Sequence, residues 1–270
     1  VLLGGAATAG ALVIGWGVMP PRQRLHPSDP LPQTSGQAAL NGWVKVGADN
    51  TVTVMMAKSE MGQGAHTGLA AILAEELDAD WAQVRLEMTP IDDIYNNLAT
   101  VVDGLPFHPD NDGSMKAVAG WLTAKTMREV GVMMTGGSSS IKDLWLPMRE
   151  AGAHARAMLI RAAASQWGVQ ATECTANAGW VEHTAGQRAT FGELAALAAQ
   201  QPMPGKVTLK EPAQFKLIGK PLTRIEAPSK LDGTAVFGID ANPPGLLHAA
   251  VVMCPTRGGK VARMDGAAAE

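Results

Sequence analysis

Ser59-Glu60-Met61-Gly62-Gln63-Gly64-Ala65-His66-Thr67-Gly68-Leu69-Ala70-Ala71-Ile72-Leu73-Ala74-Glu75-Glu76-Leu77 is the stretch on which the reading of this chain turns. Its first part is a glycine-punctuated loop. Its second part places Leu69, Ile72, Leu73 and Leu77 at helical spacing, which predicts a helix with one apolar face over Thr67 to Leu77. Glu75 and Glu76 then read as the solvated side of that helix. Glycine lets the main chain approach a ligand closely, and the first turn of a helix leaves N–H groups without partners. A glycine loop opening a helix therefore suits an anion, a phosphate above all.

On the near side of this stretch, Asn41 to Met56 alternates apolar and polar residues around Ala48-Asp49-Asn50 and predicts a β-hairpin. On the far side, Val84 to Met88 reads as a further strand. The stretch from Asp92 to Gly113 is rich in Asp, Asn, Gly and Pro and reads as a long excursion, followed by a helix over Trp121 to Val130. A second small-residue loop, Thr135-Gly136-Gly137-Ser138-Ser139-Ser140, precedes a long helix with Leu144, Met148, Ala151, Ala155 and Leu159 on one stripe. A hairpin is expected at Gly179 to Gln187 and a short helix at Phe191 to Ala199. Pro202 to Pro221 is extended and proline-punctuated, which marks a domain boundary. Strands are expected at Ala235 to Asp240 and Leu246 to Met253, on either side of a Pro243-Pro244-Gly245 turn. Helices and strands interleave without a steady βαβ rhythm, so the class is α+β.

Neither glycine loop is a phosphate-binding GK[ST] loop, and neither is a GxGxxG fingerprint. Taken singly, Gly62 and Gly64 serve equally well to shape a turn, and Ser138 to Ser140 to cap the next helix. Two such loops in one domain shift the balance toward a ligand. Gln63 is the polar side chain expected to reach it, and His66 reads as a structural donor. Asp92, Asp93, Asp103, Asp110 and Asp112 lack the spacing of a calcium loop and are expected at the surface.

With 46% hydrophobic and 17% charged residues in 270, the chain is globular, and a net charge of −3 gives nucleic acid no purchase. Cys174 and Cys254 form no CxxC pair, so this chain alone holds no zinc or iron–sulfur site. Two buried free thiols are expected, with a disulfide as the alternative.

Val1 to Met19 carries no charge and is closed by Pro20-Pro21-Arg22-Gln23-Arg24. That length just suffices to span a bilayer, for which about 20 residues are needed. Residues 1–21 are read as a membrane anchor or uncleaved export signal, its glycine and alanine content fitting twin-arginine export. A buried core helix is the weakest option, because five glycines disfavour it. Residues 22–40 are read as a linker. Starting without methionine and ending on Ala-Ala-Ala-Glu, the chain reads as a fragment.

Glu60-Met61-Gly62-Gln63-Gly64-Ala65-His66-Thr67, with the later Thr135 to Ser140 loop, resembles the pterin-binding segments of xanthine oxidase-family molybdenum subunits. Leu217 to Gly259 is similar to the opening of their small hammerhead-like domain. Its position after the glycine loop is the order found in the branch of the isoquinoline 1-oxidoreductase beta subunit. The resemblance implies a molybdopterin-binding domain over 41–201, a linker over 202–216 and the start of a hammerhead-like domain over 217–270. It implies cofactor contacts at Met61, Gly62, Gln63, Gly64, Gly137, Ser138, Ser139 and Ser140 to molybdopterin cytosine dinucleotide, and no catalytic residue or metal ligand within this chain. The implied activity is oxidation of aldehydes with water as oxygen source, with hydroxylation of an N-heterocycle as the alternative. Electrons would leave through a [2Fe-2S] subunit and a c-type cytochrome, in a periplasmic assembly tethered to the inner membrane together with the remainder of the large subunit. A membrane-anchored, non-catalytic scaffold is the reading from a different class.

Overall fold

The alternating stretch after Asn41 does fold as a hairpin, and the rest of the first sheet is built on it. In a computed structural model that describes residues 23–108 and 110–267, β1 (Gln37–Asn41), β2 (Val44–Gly47), β3 (Val52–Met56) and β4 (Val84–Met88) form one sheet in that order. The pairs β1–β2 and β2–β3 are antiparallel, with Val44 opposite Val54 and Val46 opposite Val52. Asn50 turns the hairpin at φ 69°, a left-handed conformation that asparagine tolerates better than most side chains. Strand β4 pairs parallel to β3, which requires a crossover, and α1 (Ala65–Leu77) supplies it.

Among the described residues, the helices that follow are α2 (Ala99–Asp103), α3 (Ser114–Val130) and α4 (Ser140–Trp167). Beyond them lie β5 (Cys174–Asn177), β6 (Trp180–His183) and β7 (Arg188–Thr190) in a small antiparallel sheet, then α5 (Phe191–Ala198). The architecture is mixed α/β, as the α+β reading expected.

Helices α1 and α4 form the centre of the core. The expected stripes are buried on both: Leu69, Ile72, Leu73 and Leu77 on α1, and Leu144, Met148, Ala151, Ala155 and Leu159 on α4. Gly152 is where the two backbones meet. A Cβ there would lie 2.4 Å from the Leu73 carbonyl oxygen and 2.9 Å from Glu76 Cβ. Toward the other end, Ile141 Cδ1 comes within 3.2 Å of where a Cβ on Gly68 would sit. Ile141 beside Gly68 and Gly152 beside Leu73 to Leu77 means that α1 and α4 run in the same direction.

Pro147 lies inside α4 and has no N–H for the carbonyl of Asp143. Arg24 supplies a substitute, its guanidinium donating to Asp143 O at 3.3 Å.

The structure corrects several expectations. Residues 22–40 are not a free linker from Arg24 on: Arg24, Leu25 and Leu31 are buried, and Trp43 Nε1 donates to the Arg24 carbonyl. The 92–113 excursion contributes to the core through Ile94 and Tyr95, whose ring meets Trp43 edge-on at 4.9 Å. Helix α3 starts at Ser114, earlier than expected, and is turned inside out: Lys125 and Arg128 are buried while Met115, Val118 and Leu122 face out.

The larger compact unit runs to Ile225, past the expected boundary at 202–216, and the second begins at Glu226. The described residues of the second unit include α6 (Ala227–Leu231), a helical turn at Gly238–Asp240, and tight turns closed by the Leu246 N–H on the Pro243 carbonyl and the Gly259 N–H on the Thr256 carbonyl. The strands expected at 235–240 and 246–253 are not formed. A period-two pattern needs a neighbouring strand to take its N–H and C=O groups, and none of the described residues of this unit supplies one. Both cysteines are free, but only Cys174 is buried; Cys254 is exposed. The anchor expected over 1–21 lies outside the described residues. Among the described residues no helix is long and apolar enough to cross a membrane.

Candidate functional site

Because α1 and α4 are parallel, their N-termini and the two loops that lead into them lie at the same end of the pair. The loops touch: Ser59 N–H donates to Thr135 Oγ1 at 2.8 Å, and Lys58 Nζ to the Met134 carbonyl at 3.4 Å. Two helix dipoles therefore present their positive ends side by side, each worth roughly half an elementary charge.

The first loop is closed by its own side chains. Glu60 accepts three backbone N–H groups, from Gly62 and Gly64 at 2.9 Å each and from His66 at 3.0 Å. Burial alone would raise the Glu60 carboxyl, but those three donors prevail and hold it below its ordinary value. Gln63 folds back as well, its amide donating to the Ser59 carbonyl at 2.9 Å and its oxygen accepting from Met61 N–H. His66 Nε2 lies 2.8 Å from the Lys58 carbonyl oxygen, a structural contact as expected. Gly62, at φ 96°, has nothing within 4 Å of where a Cβ would be, and Met61 is 68% exposed. The outer surface of this loop is open main chain.

The second loop is arranged differently. Gly137 (φ 62°) and Ser138 (φ 52°) are both left-handed and exposed, and their N–H groups meet no acceptor among the described residues. Ser139 is turned inward. It is fully buried, its hydroxyl donating to the Gly136 carbonyl at 2.7 Å while Asn97 Nδ2 and Thr100 Oγ1 lie at 2.7 and 2.8 Å. Ser139 is thus a brace from the loop to the 92–113 excursion, its hydroxyl turned away from the surface where a cofactor contact was expected. Ser140 opens α4 half-buried and adds a hydroxyl at the helix start.

Beneath both loops sits a buried ionic cluster. Asp143 Oδ2 is 3.0 Å from Lys58 Nζ and 3.4 Å from the Arg24 guanidinium, and Oδ1 accepts the N–H groups of Leu98 and Ala99. Burial pulls the Lys58 ammonium below its ordinary value against the opposing attraction of Asp143. Two cations face one carboxylate, so the cluster leaves positive charge in low dielectric under the loops. Beside them opens a cleft of about 390 Å³ whose walls are apolar, with Ala71, Ile72 and Trp145 across from Leu217 and Leu222. Gly64 and Arg224 also line it.

Of the residues singled out from sequence, Met61, Gly62, Gln63 and Gly64 lie on one loop and Gly137, Ser138 and Ser140 on the other, and the loops meet through Ser59 and Thr135. Glu60 and Thr135 were read as ends of the two loops without a role of their own, and Lys58 and Asp143 were missed. Only Glu60 left a signal, being a carboxylate that precedes a glycine loop by two residues. A phosphate-bearing organic cofactor fits this surface at the uncommitted amides of Gly137 and Ser138, the open face of Gly62, and the excess positive charge below.

Residues 5–101 match the family described as a molybdopterin cofactor-binding domain. The chain is 31% identical over 264 residues to the isoquinoline 1-oxidoreductase beta subunit of Brevundimonas diminuta, covering 85% of this chain and 30% of that protein. It is 31% identical over 230 residues to the membrane-bound aldehyde dehydrogenase [pyrroloquinoline-quinone] of Gluconacetobacter polyoxogenes, covering 83% and 25%. A nicotinate dehydrogenase subunit of Pseudomonas putida is 24% identical over 217 residues, covering 80% and 15%. The chain spans less than a third of the length of these relatives. The chain thus carries a segment of the molybdopterin cofactor-binding kind, and the proteins it is similar to include an isoquinoline 1-oxidoreductase beta subunit and a membrane-bound aldehyde dehydrogenase.

Proposed function

We propose that this chain cradles the molybdenum cofactor, in its cytosine dinucleotide form, for an exported oxidoreductase that converts aldehydes to carboxylic acids. The observation that carries the reading is the meeting of two small-residue loops at the N-termini of parallel helices, over a cluster with more cationic than anionic groups. When bound, the cofactor supplies two-electron oxidation with water as oxygen source. The chain's own residues bind and orient it. Gly137 and Ser138 offer main-chain donors, Ser140 adds a hydroxyl, and Gly62 lets the cofactor approach the backbone. Gln63 and Met61 border that approach, and Lys58 with Arg24 lowers the cost of holding its negative charge.

Aldehydes are preferred as substrate because one relative is named a membrane-bound aldehyde dehydrogenase and residues 1–19 are free of charge. Two relatives are named for N-heterocyclic substrates, which supports hydroxylation of such a ring as the second reading. Electron transfer to a [2Fe-2S] subunit and a c-type cytochrome at the periplasmic face of the inner membrane completes the proposal.

The test is molybdenum and pterin analysis of the purified protein, with pyrroloquinoline quinone assayed in parallel. Near-stoichiometric molybdenum and pterin are expected, with both falling at least tenfold in Gly137→Val. Absence of both metal and pterin would favour the anchored scaffold, and quinone in their place would redirect the cofactor assignment.

A further inference from the structure

We infer that Glu75 and Glu76 are a latch: two buried carboxylates near the end of α1 that hold residues 208–225 across the helix and so fix one wall of the cleft beside Gly64. The sequence pattern marks them as a solvated pair, yet they are 1% and 0% exposed. The reason lies far along the chain. Glu75 Oε2 accepts the N–H groups of Lys216, Leu217 and Ile218 at 2.7, 2.6 and 3.3 Å, and Oε1 accepts from Lys210 Nζ at 2.9 Å. Glu76 accepts from the Lys210 N–H at 3.1 Å and from Arg149 Nε on α4 at 2.8 Å.

The 208–225 segment has no strand neighbour, only the helical turn Pro212–Gln214 and a tight turn closed by the Lys220 N–H on the Leu217 carbonyl, so its other amides need acceptors from elsewhere. The two carboxylates take the place of the missing strand. A second tie lies nearer the start of the same helix, where Thr67 Oγ1 accepts the Ile225 N–H at 3.0 Å. Between the two ties the segment presents Leu217, Leu222 and Arg224 to the cleft. The latch thus acts on the cleft through these residues, and Glu75 and Glu76 are positioning residues.

The charges facing the latch come from three elements. Asp78 caps α1, Arg149 and Arg156 lie on α4, and Lys210 and Lys216 lie on the segment itself, the last largely exposed. Burial alone would raise the Glu75 carboxyl, but the amides of Leu217 and Ile218 and the Lys210 ammonium prevail and lower it. A carboxyl lowered on folding contributes stability that is full above its unfolded value, about 4.3, and is lost as pH falls through the folded value. The segment should therefore come loose on acidification.

Hydrogen–deuterium exchange on the full chain, corrected for intrinsic rates and followed from neutral pH down to about pH 3, tests this. At neutral pH Glu75→Gln keeps the shape but turns one acceptor oxygen into a donor. Exchange at 216–218 should rise at least tenfold, with α4 amides at 148–159 unchanged. In the unaltered chain the same amides should lose protection on acidification before α4 does, and the Gln variant should be flat over that range. Lys210→Met, which removes the cation but leaves the three amides their acceptor, should have a smaller effect. Unchanged exchange at 216–218 would overturn the latch, and so would an equal rise in α4, which marks general destabilisation. Should Glu75→Gln not fold, the acid series of the unaltered chain decides alone. Faster pterin release from Glu75→Gln is also expected. That arm rests on the proposed cofactor, whereas exchange does not, so the two can fail separately.

Discussion

Helix α1 has a carboxylate clasp at each end, and the two clasps use the same chemistry for different ends. Glu60, before its first turn, and Glu75, near its last, each accept three backbone N–H groups. The donors to Glu60 lie two to six residues away, those to Glu75 141 to 143 residues away. Closing the short ring costs little chain entropy and yields only a loop shape; closing the long one costs more and yields tertiary structure. Glu60 is partly exposed, whereas Glu75 is buried with a lysine ammonium against it. A carboxylate among amides is therefore a local or a global device according to where its donors come from.

The sharpest way to break this comparison is to remove each acid in turn. Glu75→Ala leaves three amides without their acceptor in a buried site, while Lys210 keeps Asp78, and a loss of about 3–5 kcal/mol in urea unfolding is expected. A loss under about 1 kcal/mol would mean that water reaches the site and that the clasp is not buried in solution. Gly152→Ala tests the helix contact that carries both clasps. Its new methyl meets the Leu73 carbonyl, a backbone atom that cannot swing aside, so about 2 kcal/mol should be lost along with protection in both helices. Glu60→Ala should cost about 1 kcal/mol, because water can replace the carboxylate at exposed amides. Its signature should be faster exchange at Gly62, Gly64 and His66 alone. Smallest in energy is thiol accessibility: Ellman's reagent should titrate Cys254 at once in the native protein and Cys174 only on unfolding.

What could be read in advance follows the range of the interactions. The hairpin, α1, β4 and the buried stripe of α4 were legible because each is written in a periodicity of its own residues. The proximity of the two loops was legible only through resemblance. Its structural cause, parallel packing through Gly152, has no local signature. Glu75 and Glu76 were misread because helical periodicity counts a charge as outward-facing, while the segment that buries them lies more than 130 residues on. Lys125 and Arg128 on α3 defeat the same rule. The strands expected after Glu226 show the opposite failure, a correct period without a neighbour to complete it. Within the site, Gln63 and Ser139 were both assigned outward. Yet both spend their hydrogen bonds inside the protein, and residue type cannot decide which way such a side chain turns.

Arg24 works as a keystone at the front of the described residues. Its guanidinium stands in for the N–H that Pro147 lacks and shares the Asp143 carboxylate with Lys58, while its carbonyl holds the Trp43 indole. Losing that one side chain would unpair the Asp143 carbonyl beside Pro147 and leave Lys58 as the one cation on the carboxylate among the described residues.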